Sequence, residues 1–184
     1  MNKRLVIVIM GLALGQALWG QKWQLGTNAV GWAAFGTMNI QMEYALGKSW
    51  TLGLQGKYNP FEFKKSDESQ MQFKQRSAAA YARWWPWHVY SGWWLCPRIM
   101  WQEYNTGGIL DQKTEQGQRV GAGISAGYTY MLAKHWNIEF GLGLWGGAKF
   151  YTLYSCPRCG DILSSGVGSF ILPNDFVVGV SYVF

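Results

Sequence analysis

The chain has 184 residues and a net charge of +6, and only 14% of its side chains are charged, against roughly 25% in an average soluble domain. It holds 24 glycines, 12 tryptophans and three cysteines. This composition excludes a disordered chain, a collagen-like repeat and a disulfide-dense miniprotein. The length favours one domain. The basic residues are not clustered, so we expect no nucleic-acid partner.

The first twenty residues predict a signal peptide. A short basic segment ends at Arg4, and residues 5–15 form a continuous apolar run that is too short to span a bilayer as a helix. Small residues favour cleavage after Ala17 or Gly20. We therefore expect a signal peptide at 1–20 and an exported mature domain at 21–184.

The rest of the chain alternates between apolar and small or polar residues with a period of two. The clear segments are 38–46, 50–59, 119–130, 136–145 and 175–184. Weaker segments lie at about 22–34, 72–86 and 92–104. Period-two alternation is typical of β-strands with one apolar face. The pattern predicts an all-β fold, an eight-stranded antiparallel up-and-down transmembrane β-barrel, rather than a secreted β-sandwich or lipocalin-like barrel.

The connections between these segments alternate in length. Residues 47–49, 87–91 and 132–135 predict short turns, whereas 60–71, 105–118 and 152–173 predict long loops and 34–37 a short one. Short periplasmic turns and longer external loops are typical of outer-membrane barrels. Aromatic residues near the segment ends predict the two interfacial girdles. They are Trp23, Trp32, Trp50, Tyr58, Trp84, Trp85, Trp87, Trp93, Trp94 and Trp136.

The last strand ends in an aromatic-x-Phe sequence, Tyr182 to Phe184. This ending resembles the signal that outer-membrane proteins present to the barrel assembly machinery. We expect that machinery and outer-membrane lipid as partners, and location in the outer membrane of a Gram-negative bacterium.

Several charged residues have the parity of the inward face. The candidate lumenal network is Glu43, Lys57, Arg83, Arg98, Arg119, Glu139, Lys149 and Asp175. Three consecutive alanines at 78–80 interrupt the alternation shortly before Arg83, so its inward parity is extrapolated across them. Ions in a narrow interior must be paired. The inward charged residues therefore predict a salt-bridge network that fills the lumen. The alternative is a narrow ion-conducting pore.

Two cysteines, Cys156 and Cys159, flank Pro-Arg and precede a glycine. Such a knuckle forms a loop disulfide, remains as two reduced thiols or shares a metal between two chains, and we favour the disulfide because the compartment is oxidising. No second half-site accompanies it, so no metal or other cofactor is expected.

Catalytic motifs lack their structural context. Gly123 to Gly127 matches G-x-S-x-G but lies within a strand instead of a strand–turn–helix elbow. An outer-membrane enzyme is the second alternative function, after the ion pore, with Glu139 and His135 as acid and base. However, Glu139 is predicted in the lumen and His135 in a turn. We expect no catalytic residues.

Five short stretches carry a resemblance to a known family. They are 44–53, 104–108, 134–139, 156–160 and 181–184, of which Cys-Pro-x-Cys-Gly is the most specific. From Trp23 to Phe184 the chain resembles an uncharacterised family of Bacteroidetes outer-membrane β-barrels, domain of unknown function 3575. The resemblance implies the barrel fold, an outer-membrane location and a loose association with cell-surface or fimbrial genes. We expect a non-catalytic barrel whose external loops contact a surface or fimbrial protein, in cell-surface organisation or adhesion.

Overall fold

The computed structural model describes residues 21–65, 70–108, 113–156 and 160–184, without the side chains of 63–65, 70, 174 and 175. The predicted signal peptide lies outside the described residues. The elements in chain order are β1 (Trp23–Asn28), α1 (Ala29–Ala33), β2 (Met38–Ala45), β3 (Trp50–Asn59), β4 (Glu62–Lys65), β5 (Gln70–Trp84), β6 (Gly92–Gly107), β7 (Thr114–Met131), β8 (Trp136–Tyr154) and β9 (Ile162–Val183). Within this part of the chain no helix is long and apolar enough to span a membrane.

Eight strands form a closed antiparallel barrel. Consecutive strands pair from β1 to β3, then β3 pairs with β5, and the series continues to β9. The first and last strands also pair, with Leu25 opposite Tyr182, and this pairing closes the sheet. The short strand β4 pairs with β5 beyond the end of β3. The predicted eight-stranded up-and-down barrel is therefore confirmed.

The two faces of the barrel differ as the alternation predicts. Large apolar side chains are exposed on the outer face, where we call the following set the apolar belt: Ile40, Met42, Leu52, Leu54, Leu95, Ile99, Ile124, Phe140, Leu142, Leu144, Phe176 and Val178. The inner face holds buried polar groups such as Gln24, Glu43, Thr51 and Ser181. Exposed aromatic residues border the belt at one end: Trp50, Trp84, Trp93, Tyr128 and Trp136.

The predicted position in an interfacial girdle is wrong for two tryptophans. Trp85 and Trp94 are 0% and 2% exposed and lie inside the barrel. Trp94 has inward parity in β6, between the outward Trp93 and Leu95. Trp85 follows the last residue of β5. Its backbone N–H donates to Ser49 O, and its indole is buried at the turn end of the lumen. A tryptophan count near strand ends does not distinguish the two faces.

The first predicted strand, about 22–34, is too long. β1 ends at Asn28, whose side-chain Oδ1 accepts from Val30 N at 3.1 Å and caps the five-residue helix α1. The chain then passes through positive φ at Phe35 and Gly36 before β2 begins. A local cap therefore ended a strand that the apolar pattern alone would have extended.

The three long loops are also shorter than predicted. Strands occupy half of 60–71 and most of 105–118 and 152–173, because β4 begins at Glu62, β7 at Thr114 and β9 at Ile162. The pairing continues as hairpins because antiparallel backbone hydrogen bonds do not require an apolar face. The predicted short turns at 47–49, 87–91 and 132–135 are confirmed.

The wall of the barrel is uneven. β1, β2 and β3 have 6, 8 and 10 residues, whereas β6 to β9 have between 16 and 22. We call the end of the barrel that holds the short turns 47–49, 87–91 and 132–135 the turn end; residues 21 and 184 also lie there. We call the opposite end, where β6 joins β7 and β8 joins β9, the rim. The rim is low over β1 to β3 and high over β6 to β9.

Candidate functional site

A buried ion cluster lies in the lumen. The Arg83 guanidinium is 2% exposed and bridges two carboxylates that are fully buried, with Nη2 at 3.0 Å from Glu43 Oε1 and Nη1 at 3.1 Å from Glu139 Oε2. The three residues come from β5, β2 and β8, on different sides of the barrel. One cation thereby joins opposite walls through charge-assisted hydrogen bonds.

Neutral side chains complete the coordination of both carboxylates. Thr51 Oγ1 donates to Glu43 at 2.9 Å and the Tyr81 hydroxyl donates to it at 3.1 Å. Glu139 accepts from Ser181 Oγ at 3.0 Å and from the amides of Gln24 and Gln41. Buried carboxylates of this kind stay charged only when such partners replace water.

Aromatic side chains close the lumen at the turn end. The Arg83 guanidinium carbon lies 4.4 Å from the centre of the Trp94 ring and 5.3 Å from that of Trp85. Trp85 packs edge-on against Tyr90 and donates its indole N–H to Thr51. These rings are buried in one cluster whose members are Ala45, Tyr81, Trp85, Val89, Tyr90, Trp94, Cys96 and Val183. The ion cluster and the rings together form one buried layer across the lumen.

Arg98 lies next to this cluster, on the inner face of β6. Its Nη1 donates to Gln55 Oε1 at 3.2 Å, and its guanidinium carbon lies 5.5 Å from the centre of the Tyr81 ring. The buried thiol of Cys96 is free and lies 3.8 Å from Arg98 Nη2. The predicted inward orientation of Arg83 and Arg98 is thus observed.

A second ion cluster lies at the rim, beyond the apolar belt. Glu115 Oε2 is 3.1 Å from Lys149 Nζ, and Glu115 Oε1 accepts from the Tyr104 hydroxyl at 2.5 Å. The Arg119 guanidinium carbon lies 3.6 Å from the centre of the Tyr104 ring and reaches Glu115 at 3.5 Å. Burial alone would raise the pKa of Glu115, but the hydrogen bonds from Tyr104 and Lys149 and the two cationic charges outweigh it and lower the pKa. Burial and the hydrogen bond to Glu115 raise the pKa of Tyr104 to about 12.

Above this buried layer, the lumen opens into a cavity of about 460 Å³ at the rim. Lys57 and Arg119 contribute its charged lining, and Gln75 and Gln102 contribute amides. The remaining lining is largely apolar, from Val30, Ala34, Phe73, Met100, Trp145, Leu172 and Phe176. The ion cluster and the tryptophans lie below this cavity, and another cavity, of about 690 Å³, lies at the turn end, where Tyr90 and Asn137 belong to its lining.

The structure divides the predicted network into two clusters. Glu43, Arg83 and Glu139 meet near the turn end, whereas Arg119 and Lys149 meet near the rim. The remaining predicted members are Arg98, which lies beside the first cluster, Lys57, which lines the cavity, and Asp175, whose side chain lies outside the described part.

The cysteine knuckle is partly described. Cys156 is disulfide-bonded, and Cys159, its predicted partner, lies outside the described residues. Among the described residues, no three His, Cys, Asp or Glu side chains gather as they would around a metal ion.

The histidine considered for catalysis lies away from Glu139. His135 is in the turn before β8, where its ring stacks on Tyr182 with 5.4 Å between ring centres and its Nδ1 lies 2.7 Å from Val183 O. Glu139 is enclosed by Arg83 and neutral donors in the lumen. The structure does not bring the two groups together.

Sequence reasoning missed Glu115 and the two inward tryptophans. Glu115 has the inward parity of Arg119 in β7, so extending the alternation four residues toward the N-terminus would have found it. Parity would also have placed Trp94 inside. No local signal in the sequence places Trp85, which lies beyond the end of its strand.

Comparison with known sequences supports the family resemblance. No curated protein matches the chain. The sequence model of a family described as "Protein of unknown function (DUF3575)" matches residues 5–184, which include every strand of the barrel. The chain therefore belongs to the DUF3575 family of proteins of unknown function.

Proposed function

We propose that this protein is a non-catalytic outer-membrane β-barrel, closed to solutes, that presents its rim to a partner at the cell surface and thereby serves cell-surface organisation or adhesion. The apolar belt supports the membrane location. From Tyr130 to Val120 the outward side chains of β7 are apolar, aromatic or alanine. That segment is roughly 33 Å long along the strand and spans roughly 25 Å along the barrel axis at the usual strand tilt. This height matches the apolar band of outer-membrane barrels.

The filled lumen is the observation that carries the closed-scaffold assignment. Arg83, Glu43 and Glu139 are buried and mutually paired, and Trp85 and Trp94 cover them from below. An ion crossing the barrel would have to displace this cluster and desolvate in its place. Exposed residues are instead abundant at the rim, where the hairpins of β6 to β9 rise beyond the belt.

The barrel assembly machinery is the proposed first partner. Phe184 N donates to Trp23 O at 2.8 Å and so extends the seam between β9 and β1 to the last residue. The rings of Tyr182 and Phe184 lie 5.0 Å apart at the turn end. If the machinery binds this sequence, it would hold the edge of β9 in place until β1 pairs with it and closes the barrel.

Conductance tests the closed lumen. The full mature chain, refolded into a planar lipid bilayer, should give no conductance steps, whereas a pore would give regular ones. Folding is checked on the same sample by gel mobility, since a folded barrel in detergent migrates faster before boiling than after. Regular conductance from a sample that shows this shift would contradict the proposal.

Site-specific photo-crosslinking in intact cells tests the surface partner. A photoreactive residue is placed at Gln118 on the rim, and control residues are placed at Leu54 in the belt and at Lys134 at the turn end. We expect a discrete protein adduct from Gln118 that neither control produces. Absence of any adduct from Gln118, or the same adduct from Leu54, would contradict the proposal.

A further inference from the structure

The rim half of β9 has a neighbour on one side. β8 pairs with it from Ile162 to Pro173, whereas β1 pairs with β9 only from Gly179 to Val183. No strand among the described residues pairs with the other edge of 162–173. The uneven wall thus leaves a long strand edge above the short strands β1 and β2.

The helix α1, which follows β1, contacts β9. Strand pairing with this edge ends at Asn28. At the end of β1 its side-chain Nδ2 donates to Phe176 O at 3.0 Å, and its Oδ1 accepts from Val178 N at 3.2 Å. The side chain thereby takes the place of one more strand residue. The free edge above continues the track that β1 follows below.

The backbone groups on the free edge can be identified from the register. Below the irregularity opposite Gly143, the outward residues Val178 and Phe184 direct their N–H groups toward β1. Residues on the same face of a strand direct their backbone groups to the same side. Above the irregularity the outward residues are Ser165, Val167, Ser169, Ile171 and Pro173. Their N–H and C=O groups, except the absent N–H of Pro173, therefore point to the free edge.

Between Ser164 and Leu172 this edge lacks the features that usually prevent strand pairing, since Pro173 and the register irregularities lie at its two ends. Charged side chains, proline and bulges blunt exposed edges, and no charged residue lies between Asp161 and Pro173. Val167 is 69% exposed and Ile171 is 80% exposed. The edge strand β4, by contrast, has the sequence Glu-Phe-Lys-Lys.

The cavity at the rim adjoins this edge. Leu172 lines the cavity from the inner face of β9, the outward residues Pro173 and Phe176 border it, and Val30 and Ala34 at α1 line it as well. A strand added to β9 would alternate its side chains between the outside and this cavity. Strand addition obtains affinity from main-chain hydrogen bonds and specificity from pockets that accept alternate side chains.

We propose that the free edge of β9 and the rim cavity form a strand-addition site for an extended segment of another polypeptide, with a large apolar side chain entering the cavity. The inference rests on the proposed function, because the site faces a partner only if the rim is outside the cell. A second copy fits less well. In two barrels inserted in one membrane with the same orientation, the β9 strands run in the same direction. Their free edges therefore cannot pair in the antiparallel manner.

Peptide binding to the full mature chain in lipid nanodiscs tests the site. The probe is a fluorescein-labelled ten-residue peptide of alternating threonine and valine with one central phenylalanine, and binding is followed by fluorescence anisotropy. We expect saturable binding that falls at least tenfold when alternate peptide amides are N-methylated. Val167→Pro should weaken binding at least tenfold, because it removes an N–H from the free edge and leaves the β8 ladder intact. Val167→Thr, the matched control, should bind as wild type does.

Gel mobility verifies that each variant is folded, and Ser169→Lys serves as a second edge variant if Val167→Pro does not fold. No saturable binding, or binding that both edge variants leave unchanged, would overturn the site. A peptide-free dimer that the edge variant dissociates would also overturn it, because the occupant would then be a second copy. If the Gln118 adduct persists in cells while the peptide fails to bind, the proposed function stands and only the strand-addition site fails.

Discussion

Replacing Arg83 by methionine removes the cation that lies between two fully buried carboxylates while retaining much of the side-chain volume. Glu43 and Glu139 would each lose a charge-assisted hydrogen bond of 3.0 to 3.1 Å and would remain without solvent. Removing one member of a buried pair costs about 3–5 kcal/mol, because an uncompensated charge stays buried. The retained bonds from Thr51 and Ser181 keep the expected loss within that range despite the second carboxylate.

Unfolding by urea in phospholipid vesicles, followed by tryptophan fluorescence, measures this loss. Arg76→Met is the matched control, since Arg76 pairs with Glu103 at the surface with 61% of its side chain exposed, and surface pairs contribute about 0–1 kcal/mol. Adding Glu43→Gln and Glu139→Gln to Arg83→Met should recover most of the stability, because no buried charge then remains unpaired. A loss below about 1 kcal/mol for Arg83→Met, equal to that of the control, would refute the conclusion that the lumen excludes water.

Three other predictions concern the belt, the aromatic cluster and the rim. Leu54→Arg in the belt should cost about 2–4 kcal/mol in vesicles, whereas Leu132→Arg in a turn should cost little, and equal effects in the same urea assay would argue against a lipid-facing belt. Trp94→Ala should cost about 3–5 kcal/mol because it empties a buried ring site, and the outward Trp93→Ala should cost clearly less; the reverse order would contradict the inward assignment. The lowered pKa of Glu115 means that its stabilising contribution is present above the ordinary carboxyl pKa and is lost as the pH falls through the lowered value. The urea midpoint of the wild type should therefore fall more steeply below pH 4.5 than that of Glu115→Gln, and parallel curves would contradict the rim cluster.

Periodicity predicted the strand faces well and the strand ends poorly. It placed Glu43, Arg98 and Glu139 inside, because a strand side chain has only two directions and the apolar outer face and polar lumen separate them consistently. It misjudged 22–34 and the three long loops. Helix caps act on one or two residues, and hairpin pairing in water needs no apolar face, so neither produces a long-range pattern.

The ion cluster shows the same division at the level of the site. Parity supplied charged residues on the inner face but not their partners, since Arg83, Glu43 and Glu139 are separated by up to 96 residues and meet only through barrel closure. Trp85 could not be predicted inside, because it lies beyond its strand and its position depends on the turn that follows.

The sequence by itself determined that this chain is a barrel with an apolar outer face and a polar lumen, because alternation is a local property that each strand carries independently. Only the tertiary structure decided that the cations and carboxylates form two separate clusters, that tryptophans close one end and that β9 rises above its neighbour with a free edge. These features depend on the register and unequal lengths of strands that are distant in sequence, and they arise when the sheet closes on itself.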